Sequence, residues 1–315
     1  MKTNKHFRLR RTRYLFLIGV LCVACSELIP WQDENGDLCA NTCSEKEIII
    51  GCDDRVVRPD EINSTSEEPW SFIGKLHPVG CSGTLIADRF VLTAAHCLDS
   101  LGGRQLGFAL AQKAEAVSQR PFGTHGVRRI FLPVAFDGSD DEVDRAYDLA
   151  IVELWEPIEG AVPAKWGHVD WNILRSKPVF SAGYPGIQPD NGFKGRPWIT
   201  DGTYYSEQPF GWIDGGESGL LYTDMDGTGG QSGSPAYSLL TPSQHDGSGI
   251  IRKVHGVFIG SPVAACQIDQ NWVTRVTPEI VDHIANAMSP DPYDSFWQVV
   301  EPAVSPTTGP DENWP

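Results

Sequence analysis

The chain has 315 residues, 41% of them hydrophobic, with 32 glycines, 23 prolines and 8 cysteines. That much apolar material supports a sizeable core and excludes wholesale disorder, and the glycine and proline content suits a turn-rich β fold better than a helical bundle. The net charge is −16 even though six basic residues and no acids precede residue 25, which argues against nucleic acid or an anionic membrane surface as partner and fits solubility outside the cell.

Residues 1–24 read as a signal peptide. Lys2, Lys5, Arg8, Arg10, Arg11 and Arg13 lead into the apolar run 14–24, which is too short to span a bilayer. Its end, Leu21-Cys22-Val23-Ala24-Cys25, resembles a bacterial lipobox. Cys25 would then be lipidated and attach the mature protein to a membrane; simple cleavage after Ala24 is the alternative. Acylating Cys25 leaves six cysteines able to pair. Residues 25–48 are polar and acidic and read as a pro-segment or tether. The folded domain is expected over 49–288. Runs at 70–76, 81–86, 90–93, 149–154, 179–183, 220–223, 254–259 and 272–276 are β-like, separated by Gly, Pro, Asp and Asn, the pattern of a sandwich or barrel. A helix is expected over 277–288, with Thr277 as N-cap, Pro278 in the first turn, and Ile280, Val281, Ile284 and Ala287 on one face. From 289 to 315 the chain is proline-rich and acidic and is expected to be a disordered tail.

Three segments carry chemistry. In residues 81–97, CSGTLIADRFVLTAAHC, a hairpin ends at His96 with Cys81 and Cys97 placed to bridge it. Such a bridge closes a loop of about 15 residues, worth roughly 3 kcal/mol in the chain-entropy model. In residues 147–154, YDLAIVEL, Asp148 opens an apolar strand. In residues 229–235, GGQSGSP, a glycine-rich turn presents Ser232. A serine hydroxyl is hardly ionised at neutral pH and needs a base such as His, which in turn needs a carboxylate to set its tautomer. Glycines around the serine free the N–H groups of Gly230 and Ser232 to meet a developing oxyanion. The bland alternatives are weaker. Asp99, Asp140, Asp141 and Asp144 are expected on loops rather than at the head of a strand, and Ser234 is the rival nucleophile. The acidic run 137–144 reads as a solvated loop before a calcium site. No HExxH or zinc-spaced Cys/His cluster occurs, so no metal and no cofactor are expected.

LTAAHC, YDLAIVEL and GGQSGSP, in the order His, Asp, Ser, resemble the trypsin-like (chymotrypsin-fold) serine peptidases. GSP after the nucleophile, GYPG at 183–186 and IIGCDDR at 49–55 bring the resemblance toward the bacterial glutamyl endopeptidase branch. It covers residues 49–288. It implies an all-β fold of two six-stranded antiparallel β-barrels, about 49–170 and 171–276, with the active site in the cleft between them and a C-terminal helix. It implies a monomeric serine endopeptidase acting on protein or peptide substrates through an acyl-enzyme, secreted or held in a bacterial envelope, with His96, Asp148 and Ser232 as triad and Gly230 and Ser232 as oxyanion hole.

Two departures qualify that picture. Trypsin pairs an Asp before the nucleophile with the newly cut N-terminus; Gln231 stands here and has no charge to offer. Cutting at 47–48 or 48–49 is still expected to mature the chain, with the α-amino group near the substrate pocket. The pocket positions are Asp226, Gly227, Phe258, Gly260 and Ser261. Enzymes cutting after Glu are expected to carry His where Phe258 stands and often Thr where Gly227 stands, and strand alternation puts His255 on the opposite face from Phe258. Asp226 takes the place of the carboxylate with which trypsin recognises Arg or Lys. Preference for Arg or Lys, for an apolar residue, or for Glu stays open, Glu being least supported. Cys52–Cys266 is expected as a second disulfide and Cys39–Cys43 as a third; the alternative ties Cys39 or Cys43 to Cys266. Two rivals are an esterase, whose triad order would be reversed, and a non-catalytic protein on a peptidase fold, although no triad residue is lost.

Overall fold

In the computed structural model, which describes residues 31–32, 38–39, 43–44, 47–49, 55–58, 63–99, 101, 105–139, 141–186, 195–207, 212–213, 217–245, 247–260, 271–292 and 294–302, each apolar run read as extended forms a strand. The signal peptide, Cys25, Cys52, Ser261, Cys266 and the side chains of Cys39 and Cys43 lie outside the described residues. The first sheet contains β1 (Ile73–His77), β2 (Ser82–Ala87), β3 (Phe90–Thr93), β4 (Gly107–Leu110), β5 (His125–Pro133) and β6 (Ala150–Leu154). Its order is β6-β3-β2-β1-β4-β5, and β5 pairs back to β6, closing a six-stranded antiparallel barrel. Strands β3, β4 and β6 are buried along their whole length. That is why β3 and β6 read as continuous apolar runs and not as alternating ones.

The second sheet contains β7 (Val179–Gly183), β8 (Trp198–Gly202), β9 (Tyr204–Glu207), β10 (Leu220–Thr223), β11 (Ser234–Leu240), β12 (Ile251–Gly260) and β13 (Asn271–Arg275). In the order β9-β10-β13-β12-β11-β7-β8, beyond which Val56–Val57 pair with β8, the first and seventh strands are separated by Thr203 alone. One bent strand therefore pairs β7 with its first half and β10 with its second, and the sheet closes through the chain itself. The two barrels share a core, with Phe72 edge-on to Tyr237 of β11 at 6.4 Å.

The boundary between barrels is less simple than a split near residue 170. Val56–Val57, expected with the first barrel, pair with β8 of the second, and Lys165–Trp166 run parallel to β12. The closing helix α1 (Pro278–Ala287) is capped as expected: the Thr277 hydroxyl accepts the Ile280 N–H, and Ile280, Ile284 and Ala287 are buried. The disordered tail expected from 289 is corrected over 294–302. There β14 (Trp297–Val300) adds to the outside of β5, Trp297 is 7% exposed, and its indole N–H donates to the His283 carbonyl of α1 at 2.9 Å. Apolar Phe296 and Trp297 were diluted by neighbouring acids and prolines, which hid a segment that the barrel wall and α1 bury together.

Candidate active site

Asp148 is delivered by a structure built from the acids before it. Asp141 caps the short helix Glu142–Ala146, its side chain accepting the Asp144 N–H. Asp144 is 4% exposed and its carboxylate accepts the N–H groups of Asp137 and Gly138. Asp144 thus lies on a helix, not the expected loop, and Oδ1 of its carboxylate accepts from the main chain. The chain leaves the helix by bonds from Tyr147 N to the Asp144 carbonyl and from Asp148 N to the Arg145 carbonyl. Arg145 is anchored in turn, with its guanidinium 4.0 Å over the Trp272 ring and its carbonyl accepting the Thr274 hydroxyl.

Asp148 is 4% exposed and serves His96 twice. One oxygen accepts the His96 main-chain N–H at 2.9 Å and the other meets Nδ1 at 2.6 Å. A carboxylate can only accept, so Nδ1 carries the proton and the lone pair of a neutral ring is left on Nε2. The His96 side chain is 38% exposed.

Ser232 is tied to His96 through the expected disulfide. Cys97, next to His96, is bonded to Cys81, whose neighbour Ser82 donates its N–H to the Ser232 carbonyl at 2.8 Å. The Ser82 hydroxyl donates to the Gly230 carbonyl and accepts the Tyr184 N–H, both at 2.8 Å. The two cysteine sulfurs and a His96 ring nitrogen lie within 4.8 Å of one another, but the sulfurs are joined and offer no thiolate to a metal. Gly233, at φ +85°, lies so close to β2 and β3 that a Cβ would stand 2.1 Å from the Ser82 carbonyl and 2.3 Å from the Thr93 hydroxyl. No other residue fits there.

The peptide planes of this loop turn two donors away from its internal bonds. The Gly229 carbonyl accepts the Gly186 N–H at 2.6 Å, and the Gln231 carbonyl accepts the Ser234 N–H at 2.9 Å. In a trans peptide the following N–H points the other way. The N–H groups of Gly230, at φ +98°, and Ser232 therefore face opposite to those bonds, and neither has an acceptor among the described residues.

Of the expected pocket residues that are described, Phe258 and Gly227 meet one another. The Phe258 ring, 1% exposed, fills the space over Gly227, where a Cβ would stand 2.4 Å from its Cζ. Asp226 is 2% exposed and its N–H donates to the Thr200 hydroxyl. Gly260 has φ +81° and open space beside it. His255 departs from the simple alternation. It is the extra residue of a β-bulge, between Val254 opposite Tyr237 and Gly256 opposite Ala236. Its ring meets the Ser238 hydroxyl at 3.1 Å and Tyr204, which shares a core with Phe258. Burial, with the Arg275 charge adding to it, pushes the His255 pKa down to about 3.

Sequence reasoning missed Ser82, Thr93, Gly186 and Arg55. The first two lie inside the segment recognised for His96, and GYPG had been noted without a role. Arg55 Nη1 donates to the Thr228 hydroxyl at 2.9 Å and the Gln231 side-chain oxygen at 3.0 Å, across more than 170 residues that no local pattern spans.

Residues 81–240 match the family model described as trypsin-like peptidase domain. Serine protease 23 of Bos taurus is 27% identical over 244 residues, covering 67% of this chain and 57% of the relative, so the chain spans little more than half of that protein. The structure of a Glu endopeptidase in complex with MPD superposes with a TM-score of 0.59 at 20% identity, over 76% of this chain and 99% of the other. Neuropsin, a serine protease of mouse brain, gives 0.51 at 17% identity, over 73% and 98%. At these identities the two structures speak to the fold alone.

Proposed function

The chain belongs to the trypsin-like peptidase family, and from that premise we propose that it is a secreted serine endopeptidase with Ser232 as nucleophile, His96 as general base and Asp148 as the group that holds the base. The observation that carries the reading is the double bond set between Asp148 and His96. With Nδ1–H committed to the carboxylate, Nε2 takes the Ser232 proton as Oγ attacks the scissile carbonyl. The tetrahedral oxyanion is received by the N–H groups of Gly230 and Ser232. The C–N bond then breaks as Nε2 gives its proton to the leaving amine, leaving an ester on Ser232. Water, deprotonated by Nε2, hydrolyses that ester and returns the hydroxyl. Removing one oxyanion donor of this kind typically costs about 100- to 1000-fold in rate.

Specificity is assigned to Asp226, Gly227, Phe258 and Gly260, together with Ser261. The apolar ring over Gly227 supports a preference other than Glu before the cut. Cleavage of a peptide library by the wild type, with Ser232→Ala as control, is expected to give cuts that the control lacks. A serine-reactive phosphonate is expected to label Ser232. Neither cleavage nor labelling in the wild type would replace this reading with that of a binding protein. Export through the leader, with Cys25 lipidated, rests on the sequence. Incorporation of a labelled fatty acid should disappear in Cys25→Ala; equal incorporation in that variant would contradict it.

A further inference from the structure

The pairing of Val56–Val57 with β8 brings Arg55 from the start of the domain to the base of the nucleophile loop. Arg55 is 6% exposed and Gln231 is fully buried. The Gln231 side-chain oxygen accepts from Arg55 Nη1 at 3.0 Å and from the Thr228 main-chain N–H at 2.9 Å. Both neighbours are donors, so the amide orientation is determined: turned over, its NH2 would face two N–H groups. The Gln231 N–H in turn donates to the Thr228 carbonyl at 3.0 Å, and Arg55 holds the Thr228 hydroxyl as well. Thr228 and Gln231 are thus joined twice and clamped from below by one guanidinium. The residues enclosed between them are Gly229 and Gly230, which have no side chains of their own to hold a conformation.

We propose that Arg55 is a positioning residue for catalysis: through Gln231 and Thr228 it holds the peptide whose Gly230 N–H receives the oxyanion. An internal cation and a neutral acceptor thereby do the work for which trypsin uses a free chain terminus and an Asp. Glu47–Ile48 also pair with Gly227–Thr228, so the clamp is formed with the expected maturation bonds still intact. The clamp therefore does not require that cut. The inference rests on Ser232 being the nucleophile and adds to that reading a residue that touches no substrate.

The test uses the full chain and reads kcat and KM on one cleaved peptide, the second-order rate of phosphonate labelling at Ser232, and the thermal midpoint. Arg55→Met is expected to lower kcat and labelling rate by tenfold or more with KM changed less than threefold. Arg55→Lys, which keeps the cation, should recover at least a third of the lost rate. Gln231→Glu, which keeps the acceptor, should exceed Gln231→Met at least fivefold in kcat, and the Arg55→Met/Gln231→Met pair should be no slower than the slower single variant. Arg55→Met within twofold of wild type, a change in KM alone, or no recovery with Lys overturns the proposal. If Arg55→Met does not fold, the Gln231 pair decides, and equal kcat for Glu and Met overturns it. Absence of labelling in the wild type would instead sink the assignment of Ser232, a separate result.

Discussion

Asp148 occupies both of its oxygens with one histidine, and an amide could satisfy only one of those donors. In Asp148→Asn either the His96 main-chain bond is lost or Nδ1 is made to accept, which moves the proton to Nε2 and removes the base. The expected result is a kcat lower by about 10⁴-fold at neutral pH with KM little changed, measured by steady-state kinetics; a loss under tenfold would deny Asp148 its role. Two other histidines are expected to make stability depend on pH in the acid range. Burial, outweighing the bond to Gln112 and reinforced by the Arg120 and Lys75 charges, lowers the His77 pKa to about 4, and His255 is lowered to about 3. An unfolded chain protonates both from about pH 6.5 downward, while the folded chain does not until pH 4 or 3. The stability they contribute is complete above about pH 6.5 and is lost as pH falls toward the folded values, by about 1.4 kcal/mol per pH unit for each. Thermal midpoints from pH 7.5 to 4.5 should fall more steeply for wild type than for the His77→Gln/His255→Gln double variant. Parallel curves would count against it.

Strand β5 illustrates how an element can be stabilised by its neighbours. His125–Pro133 carries Arg128 and Arg129 in mid-strand, a poor β signal when read alone. Across the barrel seam, Glu153 of β6 is fully buried and receives Arg129 as its register partner, with Arg128 at 3.3 Å and Arg89 of the β2–β3 turn at 3.2 Å. Three guanidiniums on one buried carboxylate leave it satisfied, whereas removing it would leave three like charges together. Glu153→Ala is expected to cost about 3–5 kcal/mol, read by urea denaturation. Arg89→Ala, at a site 36% exposed with two arginines still in place, should cost under about 1 kcal/mol. Equal losses for the two would mean that the cluster does not centre on Glu153.

The molecule is tied together by one segment before the first barrel and another after α1. The segment at 55–57 crosses to the second barrel before the first begins, and the segment at 294–302 returns from the second barrel to the first. In that return, Phe296 stacks on His283 at 4.0 Å and Trp297 lies edge-on to Phe131 of β5 at 6.4 Å. Trp297→Ala is expected to destabilise the whole fold by about 3–5 kcal/mol, with one cooperative transition at a lower denaturant midpoint. A midpoint within error of wild type would reduce the strap to decoration.

How much was legible depended on range. Strands whose faces are both buried announce themselves as apolar runs, the Thr277–Pro278 start of α1 is a local capping signal, and Cys81–Cys97 follows from one hairpin. The all-β architecture and the segments presenting His96, Asp148 and Ser232 were therefore readable from the sequence by itself, because each rests on residues close together in the chain. Strands β4, β5, β8, β9, β11 and β14 were not; in β5 and β11, Arg128, Arg129, Ser234 and Ser238 are polar residues whose place in a strand depends on partners elsewhere. Tertiary structure alone decided that two oxygens of Asp148 reach His96, that Ser82 of one barrel holds Gly230 and Ser232 of the other, and that Arg55 holds Gln231. The physical reason is common to all three: a hydrogen bond is specified by where two groups meet in space, and chain patterns record only how each segment is buried.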